Sequence, residues 1–227
     1  LNEPVIQYKS SRWTNLNGET VSQCFVYDDV QVEVIVENPM RKQRVTNLLK
    51  VTIYKDNNFL PDSYVKQDKH IVTLPPLSTG KIAVPFKPTY EAEYHYEISI
   101  ENERVYSQPK GSPPRLYASR RNAVLIIDEP LSIMTSNPGL TVTGRLISAE
   151  NGEGIEGAKI GIYDVRTLRK DDLIAYGVTS KNGIFTIGDV KSKALRWNKR
   201  LRIYVKFFGD DVYKPVVSNQ YTISIQG

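Results

Sequence analysis

Asp210 and Asp211 stand side by side in FFGDDVYKPVV, with Tyr213 and Lys214 just beyond them. Adjacent carboxylates beside a phenol and an amine are raw material for acid–base chemistry or for a calcium site. The ligand set is incomplete, because no other acidic cluster lies near it in sequence, and the reading that fits better is a turn. Only two histidines occur, His70 and His95, so any histidine-based mechanism must pass through one of them. His95, Glu97 and Ser99 share one face of EYHYEISI. Same-face neighbours on a strand are roughly 6.5–7 Å apart, too far for a Ser–His–Glu hydrogen-bond chain. His70 follows Asp68 at the start of a strand and reads as exposed. HExxH, paired CxxC, P-loop and GxSxG patterns are missing, so neither a cofactor nor enzymatic chemistry is expected.

A second kind of chemistry is charge and stacking. KSKALRWNKRLR sets Lys191, Lys193, Arg196, Lys199, Arg200 and Arg202 around Trp197. Such a mixture grips polyanions or stacks on sugars. It is equally what a solvated loop looks like when its tryptophan folds over a sandwich edge. Nucleic acid is not expected, since no binding module accompanies the charge and a net +5 is modest. Arg115, Arg120 and Arg121 form a smaller basic cluster, read as a solubilising one.

The elements that must position these residues are strands. VQVEVIVEN places Val30, Val32, Val34 and Val36 on one face and Gln31, Glu33 and Glu37 on the other. LLKVTIYKDNN turns Leu49, Val51 and Ile53 inward and stops at Asp56, Asn57 and Asn58. EYHYEISIENE aligns Tyr94, Tyr96, Ile98 and Ile100. Residues 107–122, rich in proline, serine and basic side chains, have the composition of a linker, and the domain boundary belongs there, giving domains 1–114 and 115–227. Seven strands are expected beyond it, at 123–128, 140–147, 159–164, 173–179, 183–189, 202–208 and 221–225. Gly209 and the two aspartates then fall in the connection between the last two, stiffened by Pro215.

The 227 residues suffice for two ordinary domains, each with its own core. No apolar run approaches the roughly 18–20 residues of a membrane span, and LNEPVIQYKS lacks a signal-peptide layout, which fits a cytoplasmic chain or one whose signal has been removed. Cys24, the one cysteine, rules out an internal disulfide and reads as a small buried apolar residue. Near the start, Val5, Ile6 and Tyr8 in PVIQY, just ahead of Trp13, are open to two readings: the first strand of domain one, or an arm that completes a neighbour's sheet.

LTVTGRLISAENGEGIEGAKIGIYD, AYGVTSKNGIFTI and VKFFGDDVYKPVVSNQYTISI together resemble the immunoglobulin-like modules of archaeal and bacterial cell-surface proteins, related to carboxypeptidase-regulatory-like and transthyretin-like sandwiches. The likeness covers about residues 120–226. The first half is more loosely similar to adhesion-type β-sandwich modules, through V.V.V.N and YHYEISI. The resemblance implies an all-β chain of two tandem immunoglobulin-like Greek-key sandwiches at an extracellular cell surface. It further implies mechanical work, as a filament or surface-layer subunit that binds its own copies or other surface proteins. The alternative is an adhesive module that holds an anionic polysaccharide through residues 191–202.

Overall fold

In the computed structural model, residues 5–109, 115–128, 140–190 and 200–224 are described. Among them every regular element is a strand, and no helix is long and apolar enough to cross a membrane. The chain divides into two compact units, Leu1–Ser119 and Arg120–Gly227.

Valine-rich alternation builds the first unit. One sheet has the order β1 (Gln7–Asn15), β3 (Val30–Glu37), β6 (Thr79–Phe86), all antiparallel. The other runs β2 (Gln23–Phe25), β9 (Leu116–Ser119), β7 (Ala92–Ile100), β4 (Val45–Lys55), β5 (Ser63–Leu74), with β8 (Glu103–Ser107) also on β7. Val30, Val32, Val34 and Val36 face one core with Leu49, Val51, Ile53, Tyr94, Tyr96, Ile98 and Ile100, as their alternation predicts. Trp13 is fully buried there, its ring centroid 5.6 Å from Phe86 and 5.3 Å from Tyr96.

Within 107–122, residues 116–119 depart from the linker expectation. Leu116 and Ala118 are fully buried, and β9 pairs antiparallel with β7 and parallel with β2. A four-residue strand beside prolines is too short for its alternation to register in composition. Strands β1, β2 and β8 were equally hard to read, because QYKSSRWTN has no apolar period and the other two are short.

Glu33, placed by alternation on the polar face of β3, is almost wholly buried. It lies on the middle strand of its sheet, flanked by Arg12 on β1 at 2.9 Å and Lys81 on β6 at 2.6 Å. The Lys81 ammonium, and then the Arg12 guanidinium, hold its carboxyl below the ordinary carboxylate value against the opposing effect of burial. A lowered folded value means that this contribution to stability is complete above the ordinary value of about 4.3 and is lost as pH falls through the folded value. The urea midpoint of the chain is therefore expected to fall on acidification, with Glu33→Gln flattening the decline. An equal slope in the variant would remove Glu33 from the acid response.

The second unit follows its sequence closely. One sheet has the order β10 (Ala123–Ile127), β11 (Leu140–Ser148), β14 (Ile184–Val190). The other runs β13 (Asp172–Val178), β12 (Lys159–Asp164), β15 (Arg200–Phe207), with β16 (Val216–Val217) and β17 (Tyr221–Ser224) both on β15. All seven expected strands are present within a residue or two. Ile203, Val205 and Phe207 point inward from β15 to meet Ile160 and Ile162 of β12 and Val142 and Leu146 of β11 in one core.

Candidate functional site

The connection from β4 to β5 begins with the Asp56-Asn57-Asn58 turn and closes at Asp62. Its sequence, DNNFLPD, is unusual for a loop because Phe59 and Leu60 occupy the tip, 98 % and 71 % exposed. An apolar pair left in water at a turn has no folding advantage, since its burial would contribute about 2 kcal/mol per side chain. Isolated exposed apolar residues are common, but here several others share the same end of the unit. Tyr64, Tyr90 and Tyr117 are exposed as well.

Beneath the tip the loop is held rigidly. The Asp56 N–H donates to the Glu93 carbonyl at 2.9 Å. The Asn57 N–H donates to Asp62 Oδ1 at 3.2 Å, and the Asn57 amide donates to the Pro61 carbonyl at 2.7 Å and to Ser63 Oγ at 2.9 Å. The Asp56 carboxylate receives both the His95 ring and the Arg115 guanidinium. A carboxylate only accepts, so His95 Nδ1 carries the shared proton. His95 Nε2 lies 4.0 Å from Asp62 Oδ2, and its ring stacks on Tyr54 at 5.2 Å. Arg115 also donates from Nε to the Pro109 carbonyl at 2.9 Å. Burial lowers the Arg115 pKa from the ordinary arginine value, yet a guanidinium stays cationic at physiological pH.

One ligand atom each from Asp56, Asp62 and His95 lies within 4.8 Å of the others, a spacing that a cation would accept. Arg115 already supplies positive charge to Asp56, and the Asn57 N–H occupies Asp62 Oδ1. The cluster is therefore a buried ionic knot that ties the β4–β5 loop to β7 and to the chain entering β9.

Two hollows open beside the loop. One, of about 610 Å³, is lined by Lys55, Asn57, Phe59, Glu91, Glu93 and Tyr117 among others. The other, of about 260 Å³, is lined by Tyr64, Val65, Phe86, Tyr90 and Tyr94, and shares Lys55 with the first. Lys55 Nζ stands 5.2 Å from the Tyr90 ring centroid. Aromatic faces, three carboxylates (Asp56, Glu91 and Glu93) and one ammonium thus surround the larger hollow.

Apart from His95 and Arg115, the residues singled out in the sequence lie elsewhere. Asp210 Oδ1 accepts from the N–H groups of Val212 at 2.8 Å and Tyr213 at 2.7 Å, and Gly209 has φ +79°, so the aspartate pair is the expected turn. His95, Glu97 and Ser99 do not act as a trio: Glu97 accepts from Arg104 at 2.9 Å and Ser107 at 3.0 Å, while His95 turns to Asp56. His70 is half-buried rather than exposed, and its Nε2 has no hydrogen-bond partner. The Cys24 thiol is pushed up to about 12 by burial and by Asp28, which keeps it protonated and unreactive.

Ile6 is buried in the core of its own unit and donates from N–H to Asn47 Oδ1 at 2.7 Å. Tyr8 stacks on Tyr106 at 5.1 Å, and Val5 is exposed. Lys191, Lys193, Arg196, Trp197 and Lys199 lie outside the described residues. Arg200 begins β15, and Arg202 is exposed on it. Arg115, read from sequence as a solubilising residue, is buried in the knot. Sequence reasoning missed the knot because His95 lies 39 residues beyond Asp56 and Arg115 further still. The one available signal was Phe59-Leu60 in a loop that should have been polar.

No family model matches the sequence, and no curated protein matches it. Among solved structures the chain is similar to red sea bream transglutaminase, with a TM-score of 0.40 and 10% identity over 100% of this chain and 32% of that one. It is also similar to the adhesin InvE of Yersinia pseudotuberculosis, with a TM-score of 0.34 and 9% identity over 88% of this chain and 55% of that one. The chain spans less than two thirds of the length of either, and likeness at this level assigns no activity.

Proposed function

We propose that this chain is a non-enzymatic adhesive module of a cell surface, built from two immunoglobulin-like sandwiches, and that it grips its partner with the loop end of the first unit. The observation that carries this reading is the pairing of a knotted base with a bare apolar tip. Asp56 is fixed by His95 and Arg115, while Phe59 three residues on is 98 % exposed. A contact loop that is already ordered loses little conformational entropy when it binds, and a large aromatic at its centre is the usual anchor.

The chemistry of the larger hollow suits a neutral, hydroxyl-rich glycan. Phe59 and Tyr117 offer apolar faces to the C–H side of a sugar ring, and Glu91 and Glu93 accept from hydroxyls. With Asp56 already held by His95 and Arg115, the two remaining carboxylates, Glu91 and Glu93, against the single Lys55 ammonium disfavour an anionic chain there. An anionic polysaccharide held through Arg200, Arg202 and the basic residues before them is the competing reading. Self-assembly through an N-terminal arm has less support, since Ile6 and Tyr8 are already engaged within their own unit.

The chain should be retained on part of a panel of immobilised neutral glycans. Phe59→Ala is expected to weaken that retention at least tenfold, as loss of a central aromatic anchor does, while leaving the melting midpoint within about a degree. Undiminished retention in the variant would remove the loop from the binding face.

A further inference from the structure

We propose that two copies of this chain associate edge to edge through β13, joining their second-unit sheets into one. This edge belongs to the second unit and shares no residue with the loop end of the first. Among the described residues β13 is an outer strand of its sheet, hydrogen-bonded only to β12. Its sequence, DLIAYGV, has no lysine and no proline, and its single charge stands at the first position. Edge strands normally carry such residues to keep other chains away. The first unit's edges do carry them: Lys66 and Lys69 on β5, Lys9 and Arg12 on β1.

The outer face of β13 is apolar as well. Leu173, Tyr176 and Val178 pair across to Tyr163, Gly161 and Lys159, and they are 49 %, 70 % and 56 % exposed. Leu173 and the ring of Phe208 close over Gly161, where a Cβ would meet them at 2.9 Å and 2.8 Å. The Tyr163 and Tyr204 rings stack beyond at 5.0 Å. The apolar surface therefore begins at the open edge and continues across three strands.

Charge selects a second copy as the occupant. In an antiparallel pairing centred on Tyr176, each tyrosine faces its counterpart, and the outward rows of both strands fall on one face. Lys181, exposed in the turn after β13, then stands opposite Asp171 of the other copy, next to Asp172, which Arg166 already holds at 2.9 Å. The two-fold axis makes this contact twice. A parallel pairing would instead set Asp172 beside Asp172 and Lys181 beside Lys181. In this register only residues 174–178 of the strand pair with their counterparts, so the interface is small and the dimer is weak and reversible.

Sedimentation equilibrium of the full chain from about 5 μM to about 500 μM tests this, a range suited to a weak interface. A reversible monomer–dimer equilibrium is expected. Tyr176→Lys should raise its dissociation constant at least tenfold with the melting midpoint unchanged, and Val178→Lys, also exposed, should do the same. Lys181→Asp should weaken association, and Lys181→Asp combined with Asp171→Lys in the same chain should restore it. A monomer throughout the range, or a dimer indifferent to both lysine variants, overturns the proposal. Failure of the double variant to restore association overturns the antiparallel pairing.

Discussion

Replacing Asp56 by alanine is expected to lower the stability of the first unit by about 3–5 kcal/mol, as breaking a buried ion pair from one side does. The side chains of Asp56, His95 and Arg115 are 12 %, 8 % and 7 % exposed, so water does not substitute for the lost carboxylate. Arg115 would be left as a buried cation against the Pro109 carbonyl, and His95 would lose the acceptor that fixes its proton on Nδ1. The stack of the His95 ring on Tyr54 does not replace that charge. For a unit of this size the melting midpoint should drop by about 10 °C or more. Asp62→Ala should cost far less, because its nearest approach to His95 is 4.0 Å. Differential scanning calorimetry of the three proteins measures both effects. A shift of a degree or less for Asp56→Ala would mean that the cluster contributes nothing to order in the loop. The variant also bears on function: a loosened loop keeps Phe59 but no longer presents it in a fixed position, so binding should weaken even below the melting transition.

Gly183→Ala is the second large effect, and it falls on the other unit. Gly183 has φ +74°, and a Cβ there would lie 2.1 Å from the Leu146 carbonyl oxygen and 2.9 Å from Gly154 Cα. That carbonyl is already engaged, accepting from the Ile155 N–H at 3.0 Å, while the Gly183 carbonyl accepts from Leu146 N at 2.9 Å. Three segments thus cross at backbone distance: β11, the turn at 154–155, and the turn before β14. The alanine methyl must push one of them away, at a cost of about 3 kcal/mol or more. Gly152→Ala serves as the control, since its φ of +73° is similar but nothing lies within 4 Å of the added Cβ. Only backbone strain remains there, about 1 kcal/mol. Equal losses in the two variants would show that strain, and not the crossing, sets the cost.

That crossing explains why the second half was legible in the sequence. Gly144 of TGRL, Gly154 of NGEG and Gly183 of KNG, in motifs that carried the family resemblance, sit at close backbone approaches, so the pattern reports packing directly. β10 to β15 were likewise readable because Ile160 and Ile162, or Ile203, Val205 and Phe207, alternate cleanly against outward neighbours. The first unit was legible at β3, β4 and β7, where alternation is strong. β9 was read as linker because its two buried residues sit among prolines and arginines. The site was the least legible part, since ionic pairing at long separation leaves no local pattern. Asp56 looked like a turn residue, Arg115 like a solubilising one, and His95 like an outward side chain on a strand. Arg115 and His95 are instead buried against Asp56, and only the fold brings the three together.

The most direct test of the adhesive reading is retention of the intact chain on neutral and on anionic glycan surfaces at about 50 mM and about 500 mM salt. An aromatic, hydrogen-bonding site in the first unit should hold neutral glycans equally at both salt concentrations, because no net charge is neutralised and screening has little to weaken. Retention confined to the anionic surfaces and released by the higher salt would contradict the account, and would place binding with Arg202 and the basic residues before it.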